Sequence, residues 1–269
     1  MYWLLFVLLL LFALAVLATY SKKEHPGVQR FSLWAYAHRG LHGDGVPENS
    51  LKAFRKAAAE GYGAELDVHL MRDGNLAVIH DSSLKRTAGV DVDIEDLSLA
   101  DLEQYYLEGT LETVPEFSQV LEIFEDKAPL IVELKSKGNN VDALCKAACR
   151  YLDGYQGQYC VESFDPRCVR WFYKHRPEII RGQLAENFLK SDNCKFPFVV
   201  KFVMTNHLSN FLTRPDFIAY RFQDRNTLFT KLCRKLWKVQ GISWTVRTQK
   251  EFDSAVQDGW IPIFEYFNP

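Results

Sequence analysis

Short apolar runs of strand length alternate along this chain with longer segments whose apolar residues recur at helical spacing. The strand-like runs fall at 33–37, 64–70, 129–135, 159–163, 178–184, 216–221, 241–246 and 261–265. Helical segments lie between them, from Leu51 to Gly61 and over 141–152, 166–174, 227–239 and 248–257. Asn49 or Ser50 can cap the first helix, Leu51, Phe54, Ala57 and Ala58 give its apolar stripe, and Gly61 can end it. Two stretches are less regular. Residues 198–204 are largely apolar and fit either period. Residues 82–128 hold an acidic helix-like piece at 93–106 and a helix entered at Val114-Pro115-Glu116, and read as an excursion. Eight strands alternating with helices predict an α/β fold. The expected form is a TIM (β/α)8 barrel with a small insertion after the hairpin of the second strand. An open doubly wound sheet finds no G-x-G-x-x-G or Walker loop to support it.

The hairpin is the densest part of the pattern. Glu65 and Asp67 lie two apart on a strand, so their side chains share a face. Asp73-Gly74 between apolar runs signals a tight turn, and the return strand delivers His80-Asp81. An isolated E-x-D reads as the solvated face of an edge strand; company from other strands is what changes its meaning.

The first residues follow a different pattern. Tyr2 to Ala18 is uncharged and almost wholly apolar, and Lys22 and Lys23 follow. Extended to Tyr20, it makes a helix of roughly 28 Å, near the ~30 Å of a bilayer core. No basic residue precedes it, which favours a retained single-pass transmembrane anchor over a cleaved signal. Lys22, Lys23 and Arg30 place the remainder on the cytoplasmic side by charge asymmetry. The domain plan is therefore an anchor at 1–20, a polar linker at 21–32 and a barrel at 33–269.

Composition narrows the partners. Of 269 residues, 48% are hydrophobic and 25% charged, and the formal net charge is -2, with no long basic block to suggest nucleic acid. The six cysteines, Cys145, Cys149, Cys160, Cys168, Cys194 and Cys233, form no C-x-x-C pair and read as reduced thiols, with Cys145 and Cys149 on one helix face in the core.

In a barrel the carboxyl ends of the strands converge. His38-Arg39 ends the first strand, Glu65 and Asp67 lie on the second, and Glu133 and Lys135 end the third. Three hard oxygen ligands suit a divalent cation, Mg²⁺ or Ca²⁺, rather than zinc. Arg39 and Lys135 suit an anion, with arginine able to fork onto phosphate oxygens. His38 and His80 can serve as base and acid near neutrality. Together these are the parts of a metal-assisted phosphodiester cleavage.

His38-Arg39-Gly40, Pro47-Glu48-Asn49-Ser50, Glu65-Leu66-Asp67-Val68, Asp73-Gly74, Val78-Ile79-His80-Asp81, Arg86-Thr87, Val114-Pro115 and Glu133-Leu134-Lys135 stand in order and at the spacing of one family. The chain resembles the glycerophosphodiester phosphodiesterases, a TIM-barrel family, over roughly residues 34–265. Ser163-Phe164-Asp165 and Trp244-Thr245-Val246 resemble its later motifs. The resemblance implies hydrolysis of glycerophosphodiesters to glycerol 3-phosphate and an alcohol with a divalent cation, by way of a cyclic phosphate in the mechanism commonly proposed. It implies His38 and His80 as the acid/base pair and Glu65, Asp67 and Glu133 as metal ligands. Arg39 and Lys135 would bind phosphate, Glu48 and Asn49 would border the metal, and Phe164 and Trp244 would line the glycerol pocket. Two positions depart from the family. Arg247 stands where Asn is usual after W-x-V, and the last strand closes Phe264-Glu265-Tyr266 instead of T-D-x-P. His42 is an additional histidine in the first loop.

Two further readings attach to the same residues. A membrane tether and 14% aromatic residues suit a lysophospholipid substrate and a lysophospholipase D-type activity. A catalytically inactive, tethered lipid-binding module is the other, and the full set of site residues argues against it.

Overall fold

The computed structural model describes residues 2–21, 25, 27–191 and 195–269. Lys22, Lys23 and Cys194, which entered the reading above, lie outside the described residues.

Helix α1 (Tyr2–Ala18) comes first, then the short α2 (Val28–Phe31) and strand β1 (Tyr36–His38). Next come α3 (Leu51–Ala59), β2 (Gly63–Leu70), β3 (Leu76–Val78) and α4 (Lys85–Ala88). Two 3-10 turns, Ile94–Asp96 and Leu99–Gln104, precede α5 (Phe117–Phe124). The regular alternation follows: β4 (Leu130–Lys135), α6 (Val141–Leu152), β5 (Tyr159–Ser163), α7 (Pro166–His175) and β6 (Arg181–Ala185). Helices α8 (Phe198–Thr205) and α9 (Asn210–Thr213) lead to β7 (Phe217–Arg221). The chain ends with α10 (Leu228–Trp237), β8 (Gln240–Val246), α11 (Gln249–Gln257) and β9 (Trp260–Phe264).

Every strand except β3 pairs in parallel, and β1 pairs with both β2 and β9, so eight strands close into a barrel. Strand β3 is the antiparallel return of the predicted hairpin, with Val68 opposite Val78. Side chains that point outward from the strands, among them Ala64, Leu66, Val68, Leu130, Val132 and Leu134, pack under the helices and build the main core. The stretch 79–114 carries its own small core of Ile79, Leu84, Ile94, Leu97, Leu102 and Val114. Sequence and structure differ at several element boundaries, among them the 178–184 strand, which begins at Arg181. The predicted 33–37 strand begins at Tyr36, because Leu33 stands exposed in a turn. The acidic segment 93–106 forms the two 3-10 pieces, the second held by a Ser98/Asp101 capping box.

The expected transmembrane anchor is corrected. Helix α1 has 17 residues, about 26 Å at helical rise. Among the described residues no helix is long and apolar enough to cross a membrane. The physical reason lies in Thr19. Its hydroxyl donates back to the Val16 carbonyl at 2.7 Å, and its Oγ1 accepts from Trp237 Nε1 at 2.9 Å. Asn210 Nδ2 donates to Ser21 Oγ at 3.1 Å. The residues expected to lengthen the helix are tied instead to the barrel's outer helices, and Thr19 and Ser21 are fully buried. The single-pass placement, its cytoplasmic side and the membrane as partner through this helix are withdrawn with it. Later in the linker, Val28 and Phe31 are buried and join a core cluster with Tyr36 and Ile180.

Candidate active site

The carboxyl ends of the strands gather acids by register. In a parallel sheet, residues paired across neighbouring strands project to the same side. Asp67 pairs with Glu133, and Glu133 pairs with Glu162. Glu65 shares the Asp67 face and pairs with His38. All four carboxylates are buried. Ligand oxygens of Glu65, Asp67 and Glu133 lie within 4.8 Å of one another, an all-oxygen donor set that fits a hard divalent cation.

The electrostatics carry the mark of that crowding. Burial, then the carboxylates of Asp67, Glu133 and Glu162, push the Glu65 carboxyl well above its ordinary range. Glu133 is pushed up to about 7 by burial, with Asp67 adding and Lys135 opposing. Glu162 is raised by burial and by Glu133. Asp67 goes the other way. Burial alone would raise it, but Lys135, His80 and Arg39 outweigh burial and hold it well below the usual range. Lys135 Nζ sits 2.9 Å from Asp67 Oδ1 and 2.8 Å from Glu133 Oε2. A divalent cation among these oxygens would remove the repulsion that raises Glu65 and Glu133.

The first loop adds a second layer. Arg39 and Asn49 take left-handed backbone, φ 55 and 54, and the Asn49 N–H donates to the Arg39 carbonyl at 2.9 Å. That folds the loop so that Asn49 Nδ2 donates to Asp67 Oδ2 at 2.8 Å. Arg39 Nη1 donates to Glu48 Oε1 at 2.9 Å, and its Nε is 3.4 Å from Asp67 Oδ2. Glu48 also accepts from Arg86 Nη2 at 2.6 Å, and Arg86 Nε reaches Asp81. Asp81 in turn accepts from His80 Nδ1 at 2.6 Å. A continuous ionic chain thus connects His80 to the carboxylates.

His38 is oriented from the opposite side. Its Nδ1–H donates to Glu265 Oε2 at 2.7 Å, leaving Nε2 on the Glu65 side at 3.9 Å. Glu265 is gripped through its other oxygen by Arg247 Nε and Nη2, both at 2.6 Å. Burial lowers His38 to about 4, against its hydrogen bond to Glu265. Phe164 and Trp244 meet edge to face at 5.6 Å, at the ends of β5 and β8.

Every residue singled out in the sequence therefore lies at this one end of the barrel. Reasoning from sequence passed over four others. Glu162 carried a readable signal, an acid at a position in register with Glu133. Glu265 and Arg247 stood out as departures, yet their pairing was invisible until the barrel closed. His69 shares the strand parity of Glu65 and Asp67 but lies farther along the hairpin. It faces Glu95 Oε1 at 2.8 Å and the His80 carbonyl at 3.1 Å, and so pins the loop that carries His80.

A closed parallel barrel with two imidazoles, two cationic side chains and a buried acidic cluster that could hold a metal ion at its carboxyl mouth defines the class of this protein. The chain belongs to the glycerophosphoryl diester phosphodiesterase family, whose sequence model matches residues 38–264. A glycerophosphodiester phosphodiesterase of Bacillus altitudinis is 32% identical over 155 residues, which is 54% of this chain and 63% of that protein. The lysophospholipase D GDPD1 of Rattus norvegicus is 33% identical over 124 residues, 41% of this chain and 39% of that protein. The matched stretch is thus less than two thirds of either relative. Among solved structures, a phosphodiesterase of Oleispira antarctica in complex with the product sn-glycerol-3-phosphate aligns with a TM-score of 0.71 at 21% identity. The alignment covers 87% of this chain and 94% of that one, and the likeness is one of fold.

Proposed function

We propose that residues 33–269 form a metal-dependent phosphoric diester hydrolase that cleaves glycerophosphodiesters to glycerol 3-phosphate and an alcohol. The observation that carries this reading is the buried triad Glu65, Asp67 and Glu133, whose oxygens lie within 4.8 Å of one another. Mg²⁺ or Ca²⁺ held there would draw charge from the phosphate oxygens. Arg39 and Lys135, already beside Asp67, would bind those oxygens as they gain charge. Glu48 and Asn49 would hold the border of the metal site through Arg39 and Asp67.

The two imidazoles divide the proton work. His38 gives its Nδ1–H to Glu265, so Nε2 is the nitrogen free to accept the proton of the attacking hydroxyl. Burial keeps that ring neutral, which the role requires. His80 gives its Nδ1–H to Asp81 and would return a proton from Nε2 to the leaving alkoxide. Phe164 and Trp244 would form the apolar wall against the glycerol carbons.

A second substrate reading has its own support. The connection leaving β6 carries exposed Phe196, Phe198 and Val199, apolar surface suited to an acyl chain. A lysophospholipid would then be cleaved by the same residues. The test is release of glycerol 3-phosphate or its acyl ester from glycerophosphocholine and lysophosphatidylcholine, with Mg²⁺, Ca²⁺ or chelator. Cation-dependent release that Glu133→Gln abolishes is the expected result. Wild-type protein that hydrolyses neither substrate with either cation sinks the reading.

A further inference from the structure

A second set of metal-ligating side chains meets at the seam between the first and last strands. His38 on β1, His42 in the loop after it and Glu265 beyond β9 offer ligand atoms within 4.8 Å of one another. His38 Nδ1 is 2.7 Å from Glu265 Oε2, and His42 Nε2 is 3.6 Å from the same oxygen. The His42 side chain is 7% exposed, and its buried Nε2 makes no hydrogen bond within the described structure. The ring itself is fixed, packed edge-on against Tyr266 at 5.1 Å.

The spacing and the donor types agree on one ion. Tetrahedral zinc with bonds of about 2.0–2.1 Å holds its ligand atoms about 3.3 Å apart. The gap of 3.6 Å between His42 and Glu265 is near that value. The 2.7 Å hydrogen bond from His38 must open by about 0.6 Å to match it. Two imidazoles and a carboxylate suit zinc, whereas the all-oxygen triad next door suits Mg²⁺ or Ca²⁺. Arg247 fixes the other oxygen of Glu265, the kind of outer-shell hold that orients a metal ligand.

We propose that His38, His42 and Glu265 form a zinc-binding site, separate from the carboxylate triad, through which Zn²⁺ inhibits hydrolysis. Zinc needs the lone pair on His38 Nδ1. The single proton of the neutral ring must then sit on Nε2, by exchange with solvent. No net proton is lost, but the nitrogen that accepts the substrate's proton is blocked. The inhibition rests on the role of His38 proposed above; the binding site does not.

Co²⁺ is the spectroscopic probe, because a tetrahedral nitrogen-bearing site absorbs visible light far more strongly than a six-coordinate oxygen site. With excess Mg²⁺ filling the triad, added Co²⁺ is expected to give an intense band that His42→Gln abolishes. In the activity assay with Mg²⁺, His42→Gln is expected to match wild type without zinc. It should need higher Zn²⁺ for the same inhibition, by at least the roughly 10–100-fold that lost outer-shell contacts cost. His42→Asn, checked by thermal unfolding, guards against a folding defect in the first variant. A band that survives both substitutions, or equal zinc sensitivity in all three proteins, overturns the proposal. A His42-dependent band in a protein that hydrolyses no diester would leave the zinc site standing and remove the hydrolase reading.

Discussion

At the scale of single residues, the site is a set of charges that only make sense together. Glu265 shows this best. Taken alone, a buried acid at the end of the last strand is costly. Burial would raise its pKa, but the hydrogen bond from His38 and the charge of Arg247 hold it well below the carboxylate range. In the proposed mechanism it fixes which nitrogen of His38 carries the proton. Glu265→Gln can still accept from His38 but loses the charge and the paired grip of Arg247. The expected result is a kcat lower by about 10–100-fold with KM near wild type, partly restored by Glu265→Asp. A fall in KM-related binding alone, with kcat intact, would remove the positioning role. The same residue marks a limit of sequence reasoning. Glu65 and Asp67 were legible because strand parity is local. The partnership of His38 with Glu265 spans 227 residues and had no local signature.

At the scale of elements, most boundaries followed from periodicity, and the exceptions have physical causes. The run 198–204 fitted either period and forms helix α8, ended by a turn in which His207 adopts φ 57. No pattern could have revealed why a histidine sits there. Its Nε2 faces Thr230 Oγ1 at 3.2 Å and its ring packs on Tyr220 at 5.2 Å, tying the α8–α9 turn to α10 and β7. Burial lowers its pKa from 6.5 to about 4. Between those two values the unfolded chain takes up a proton that the folded chain refuses. Stability is therefore expected to fall as pH drops from about 6.5 toward 4, by an amount on the order of 3 kcal/mol for this group, and to lose nothing more below. His38 is lowered in the same window and adds to the slope. Urea midpoints at a series of pH values for wild type and His207→Phe test this; identical slopes would exclude His207 as a contributor. The N-terminal element failed as an expectation for a related reason. Apolar length suggested a span, but the hydrogen bonds of Thr19 and Ser21 to distant helices decide where the helix stops.

At the scale of the whole molecule, the two ends of the barrel do different work. The carboxyl end holds the chemistry. The amino end holds a buried ion pair, Arg181 at the start of β6 with Asp216 just before β7, with Arg181 Nη1 3.3 Å from Asp216 Oδ2 and both side chains 0% exposed. Arg181 also donates to the Arg214 carbonyl at 2.9 Å and so fastens the entry to β7. Arg181→Met is expected to lower stability by about 1–3 kcal/mol, because it removes the guanidinium that donates to the Arg214 carbonyl and sits beside the Asp216 carboxylate. The activity per folded molecule should be unchanged. Denaturant unfolding with an active-site titration of the refolded fraction measures both. Lost activity at full folding would mean that the ends are not independent.

The seam between β1 and β9 has a consequence in time as well as in space. His38 is made early and Glu265 late, and β9 is the strand that completes the ring against β1. The contact that fixes the His38 tautomer therefore forms only when β9 docks on β1. On the proposed function, closing the ring and setting the His38 base are one event, so a barrel open at this seam is expected to bind a cation without cleaving a diester.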